Sequence, residues 1–118
     1  MTTLKLTRWN EVREEQLNTL LSRRVISGER AMVAQITLKK GCVVPEHSHE
    51  SEQISWVFKG ALQFTIGGEQ IVVREGEVLC IPSHVPHAAI AIEDCFEMDV
   101  FSPIRRDWLD GTDAYLRK

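Results

Sequence analysis

Gly41-Cys42-Val43-Val44-Pro45-Glu46-His47-Ser48-His49-Glu50-Ser51-Glu52-Gln53 carries the reading of this chain. On a strand, side chains alternate faces, so His47 and His49 point the same way and two imidazoles can share one ion. A third, His87, lies far along the chain and joins them only if a distant strand runs alongside. Glycine and proline frame both stretches: Gly41 and Gly60 bracket the first, and Gly76 and Pro82 precede His87 in the second. The spacing thus predicts a fold and a site together.

Outward from these blocks, strand signals dominate. Met32, Ala34, Ile36 and Leu38 alternate with polar or smaller partners, the period of a half-buried strand. Ile54, Trp56 and Phe58 make a second stripe, and Leu62, Phe64 and Ile66 a third. Gly67-Gly68 before Ile71–Val73 is a hairpin signal, and Glu75-Gly76 a further turn. Residues 78–81, 87–92 and 95–101 read as further strands. Turns at such short intervals predict an all-β sandwich or barrel. Residues 10–26 read either as a short helix capped by Asn10 or as a strand from Leu17 to Ile26. Pro103 closes the last long strand, and 104–110 predicts one helical turn.

The 118 residues suit one domain, spanning 1–118, with enough core to fold without staples. A net charge of −3 without runs of one sign argues against nucleic acid as a partner. No apolar stretch is long enough to span a bilayer, and residues 1–9 lack a signal-peptide core. Cys42, Cys80 and Cys95 lack metal-site spacing; they read as small core filler in a reduced, cytoplasmic setting.

The two-block pattern resembles the cupin superfamily, small jelly-roll β-barrels. Gly41, His47, His49, Gly60, Gly76, Pro82 and His87 match; Gln53 replaces a usual Glu, His84 a Gly and Ala91 an Asn. The resemblance implies an all-β, single-domain cupin barrel. Its site would hold one divalent transition metal (Zn, Ni, Mn or Fe) on His47, His49, His87 and Gln53. Glu52 or Glu50 is an alternative fourth ligand through a bulge. Neutral imidazole suits such metals, and an incomplete ligand set leaves room for substrate. Glutamine leaves a divalent site near +2 where glutamate would leave it near +1, which favours an anionic substrate. His84 reads as an exposed turn residue.

In the last strand, hydrophobicity alone places Phe96, Met98 and Val100 in the core and Asp99 in water. The alternative turns Asp99 and Phe101 into the barrel cavity. Asp99-Val100-Phe101-Ser102-Pro103-Ile104-Arg105-Arg106-Asp107-Trp108, with a closing Asp113-Ala114-Tyr115-Leu116, resembles the pectin-degradation cupins of the KdgF type. Gln53 fits that group too. The resemblance implies ring opening of 4,5-unsaturated uronate monosaccharides to linear 5-keto-4-deoxyuronate. Asp99 would be the acid/base residue, Phe101 a wall of the sugar pocket, and Arg105 (or Arg106) the substrate-holding arginine. Two rivals share the three histidines: a metal-dependent dioxygenase, and a non-catalytic module binding a small acid or sugar. Small cupins pair through an outer sheet, and apolar faces left over on several strands fit a homodimer.

Overall fold

The computed structural model describes residues 4–118; the reading of residues 1–3 as part of a leaderless start lies outside them. A 3-10 turn at Trp9–Glu11 leads into β1 (Glu15–Asn18) and β2 (Leu21–Ser27), so the segment is extended rather than an Asn10-capped helix, but a turn at 19–20 folds the single strand expected from Leu17 to Ile26 into an antiparallel pair. Then come β3 (Met32–Leu38), β4 (Val43–His47), β5 (Glu52–Lys59), β6 (Ala61–Ile66), β7 (Glu69–Arg74), β8 (Val78–Ile81), β9 (His87–Ala91) and β10 (Cys95–Ser102). A short helix, α1 (Arg106–Asp110), and a 3-10 turn, Ala114–Leu116, follow. The expected all-β jelly roll is what the chain forms.

The strands build two antiparallel sheets. One has the order β1-β2-β3-β10-β5-β8, the other β4-β9-β6-β7. Gly67 and Gly68 both take positive φ (58° and 82°), as a two-residue hairpin turn between β6 and β7 requires. Gly60, at φ 85°, is fixed by sterics as well: a Cβ there would collide with the Asp94 carbonyl oxygen. His84 has φ 63°, the left-handed region that glycine adopts freely, which accounts for glycine at this position in the family pattern.

The core lies between the sheets. Met32, Ala34, Leu38, Leu62 and Val57 are almost fully buried there. Two of the stripes point the other way. Trp56 is 46% exposed and stacks on Phe58 outside the barrel, while Gln53, Ser55 and Val57 face inward. In β10, Glu97, Asp99 and Phe101 are buried and Phe96, Met98 and Val100 are only partly so. Hydrophobicity alone therefore misplaces β10: the polar groups take the inner face. Cys42 and Cys95 are buried as expected, but Cys80 is exposed on the edge strand β8.

The C-terminal segment closes one side. Arg23, from β2, puts Nη1 2.6 Å from Asp113 Oδ2 and donates from Nε to Glu15 Oε1. Arg117 spans the same two carboxylates, and the Arg23 guanidinium lies 4.3 Å from the Trp108 ring centre. Arg23 and Asp113 are both buried. Breaking a buried pair strands the remaining charge. Asp113→Ala is expected to cost about 3–5 kcal/mol of stability, measured by urea unfolding; a loss within about 0.5 kcal/mol, the size typical of surface changes, would refute a structural clasp.

Candidate metal centre and cavity

Two imidazoles meet by strand pairing. His47 and His87 are opposed residues of β4 and β9, with ring centres 4.3 Å apart. His49 does not share the strand face proposed for it: β4 ends at His47, and His49 sits in the following loop. Its backbone is held instead by the His84 N–H, which donates to the His49 carbonyl at 2.8 Å. Exposed His84 thus contributes through its backbone. The rings of His49 and His87 are 5.1 Å apart, and each of the three histidines offers a ligand nitrogen within 4.8 Å of the others.

Each Nδ1 lies 2.8 Å from a carbonyl oxygen: His47 to Pro45, His49 to Ser51, His87 to Val85. A carbonyl only accepts, so each Nδ1 carries the proton and each neutral ring keeps its lone pair on Nε2. The rings are neutral because burial opposes their charge. It lowers His47 and His49 to about 4 and His87 below its usual value; the Arg105 charge adds to the effect on all three. His87 Nε2 is buried without a partner.

Gln53 Oε1 lies 3.1 Å from His49 Nε2. With the His49 proton on Nδ1, this contact sets two acceptors face to face, an arrangement that calls for a cation. Two donors about 2.1 Å from one ion at a right angle would be about 3 Å apart. The Gln53–His49 pair therefore has the spacing of two ligands on one divalent metal. Glu50 and Glu52 are exposed, so Gln53 is the acid-or-amide residue that turns toward the histidines.

A cavity continues from this cluster into the barrel. Its walls include Asp99, Glu97, Phe101, Arg105, Trp108 and Tyr115. Burial pushes Asp99 up to about 6, against the opposing pull of the Ser55 and Glu97 hydrogen bonds and the Arg105 charge. Glu97 is raised well above the carboxylate range by burial first, then by its neighbour Asp99. Its Oε2 is buried without a partner.

Arg105 is buried and Arg106 exposed, so Arg105 is the arginine of the cavity. Asp107 accepts from its Nε at 3.0 Å and its Nη2 at 2.8 Å, and Nη2 also reaches the Tyr115 hydroxyl at 2.6 Å. These bonds fix the guanidinium through Nε and Nη2. The Tyr115 ring packs 4.6 Å from His47 and links the arginine to the metal-ready cluster. Phe101 lies edge-on to His49 and to Trp108.

Glu97 and Ser55 escaped the sequence reading, although strand period gave a signal: each lies two residues from a named site residue. Arg23 gave none, since its partner Asp113 is remote in sequence.

Three clustered histidines within a two-sheet jelly roll are an arrangement suited to a metal ion. Residues 34–102 match the family model described as "Cupin domain", more than half of the chain, and the chain belongs to the cupin family. Within it, the chain resembles KdgF. It is 26% identical over 98 residues to the pectin degradation protein KdgF of Dickeya dadantii (strain 3937), covering 80% of this chain and 89% of that one. The solved KdgF from Halomonas sp. superposes with a TM-score of 0.83 at 28% identity, over 90% of this chain and 99% of that one. An RmlC-like cupin from Shewanella frigidimarina NCIMB 400 gives the same TM-score at 25% identity, over 91% and 97%.

Proposed function

We propose that this chain acts in pectin breakdown as a single-domain, metal-dependent enzyme that opens 4,5-unsaturated uronate monosaccharides to 5-keto-4-deoxyuronate. The carrying observation is the cluster of three histidines with ligand nitrogens within 4.8 Å of one another, with Gln53 Oε1 3.1 Å from His49 Nε2, and a cavity that buried Asp99 and Arg105 share with His47, His87 and Gln53. His47, His49, His87 and Gln53 would hold the ion. A divalent ion there supplies Lewis acidity toward an anionic oxygen of the substrate.

The chain's own residues divide the remaining work. Arg105, braced by Asp107 and Tyr115, presents Nη1 to a carboxylate or hydroxyls. Phe101 walls the sugar. Asp99 takes the proton of the anomeric hydroxyl. The C1–O bond to the ring oxygen breaks as C1=O forms, and the freed electron pair makes the enolate at C5. Asp99 then returns the proton to C4, leaving a ketone at C5. No electron is gained or lost overall, so a zinc or nickel form should work as well as an iron form. The test is a coupled measurement: metal content, and loss of the unsaturated uronate's ultraviolet absorbance without oxygen uptake. Oxygen consumption would favour a dioxygenase, and metal-bound protein that binds the sugar acid without turnover would favour a binding module.

We place the enzyme in the cytoplasm as a homodimer joined through the outer face of the six-stranded sheet. Trp56, stacked on Phe58, and Val78, 53% exposed, make that face apolar. A monomeric mass by light scattering would remove the dimer.

A further inference from the structure

Between Gln53 and Asp99 stands a fully buried hydroxyl, Ser55. Strand pairing places it: Ser55 of β5 is the registered partner of Asp99 of β10. Its Oγ donates to Asp99 Oδ1 at 2.6 Å and accepts from Gln53 Nε2 at 3.0 Å. A hydroxyl has one proton to give, and a carboxylate oxygen only accepts. The proton of Ser55 therefore points at Asp99. What Ser55 then offers Gln53 is a lone pair, which only the amide N–H₂ can use. The amide oxygen is left facing His49, and each bond in the row fixes the direction of the next.

We propose that Ser55 is a positioning residue that locks the Gln53 amide with its oxygen turned to the three histidines. This rests on the reading of those histidines as a metal centre. Without the lock, the amide gains by rotating: its N–H₂ would donate to the His49 Nε2 lone pair, removing the contact between two acceptors and withdrawing the oxygen from the site. The same row explains why glutamine stands where the family pattern has glutamate. A carboxylate at this position would set its own oxygen and that of Asp99 in competition for the single Ser55 proton. Glutamine completes the row from its amide N–H₂ through Ser55 to Asp99. Ser55 thus ties the choice of fourth ligand to the presence of a buried carboxylate at Asp99.

The test uses nickel or zinc affinity, measured by competition with a chromophoric chelator, in Ser55→Ala, Gln53→Ala and the double variant. Ser55→Ala is expected to weaken metal binding about 10- to 100-fold, as loss of an outer partner of a ligand does. In the Gln53→Ala background the same change should have no further effect, because its route to the metal is gone. An equal loss in both backgrounds would mean a general packing defect and overturn the proposal. So would an affinity for Ser55→Ala within about twofold of the parent. A second readout needs no metal: the side-chain N–H₂ resonances of Gln53 in the metal-free protein should move or broaden in Ser55→Ala, and unchanged resonances would refute the lock. If the parent protein itself binds neither ion, the metal reading falls, a result distinct from a parent that binds and a variant that binds equally.

Discussion

Asp99→Asn is expected to lower turnover of an unsaturated uronate by about 10²- to 10⁴-fold, the usual contribution of a positioned acid/base group. Asparagine keeps an oxygen that accepts the Ser55 proton, so the Gln53 row survives and metal binding and KM should change little. What disappears is a group that both takes and returns a proton. The parent enzyme should show a matching acid limb. Asp99, raised by burial to about 6, must be ionised to act as base, so kcat/KM falls as pH drops through that region. A bound cation draws the limb lower still. The residual activity of the variant should lack this limb. Retention of more than about a tenth of the parent turnover would remove Asp99 from the reaction.

His87→Ala is expected to abolish both metal retention and activity. The residue is buried, its Nδ1 is fixed on Val85, and its Nε2 has no partner other than what binds at the cluster. Loss of a direct ligand should exceed the roughly 10- to 100-fold penalty of losing an outer partner. Metal analysis after desalting, with turnover on the same sample, checks it. Full metal content in the variant would mean that the three rings do not share an ion. A linked effect concerns acid. His47 and His49 have folded values of about 4, below the unfolded 6.5, because burial disfavours their charged forms. Between those values the unfolded chain binds more protons, so this contribution to stability is present above about 6.5 and is lost as pH falls toward about 4. Raised Asp99 and Glu97 act in the opposite sense, favouring the fold most when protonated.

The glycine and proline framing made the histidine cluster legible, since His47 and His87 do come together as paired strand residues. Face assignment was harder for a physical reason. In β5 and β10 the inner face carries Gln53, Ser55, Glu97 and Asp99, while Trp56, Phe58 and Phe96 lie on the outer face, the inverse of what burial of apolar groups alone predicts. A polar cavity lining inverts the hydrophobic code at those strands. Arg105 and Arg106 could not be told apart from spacing, because a loop has no period; burial and the Asp107 brace separate them. The Arg23–Asp113 clasp joins residues far apart in sequence and left no local trace.

That clasp has a bearing on how variation in this chain is interpreted. Glu15 and Arg117 are partly open to solvent, yet through Asp113 and Trp108 they hold the stretch that bears Arg105 and Tyr115. Drift at these outlying positions is thus felt by the cavity wall, and distance from the histidine cluster is a poor guide to which changes the chain will tolerate.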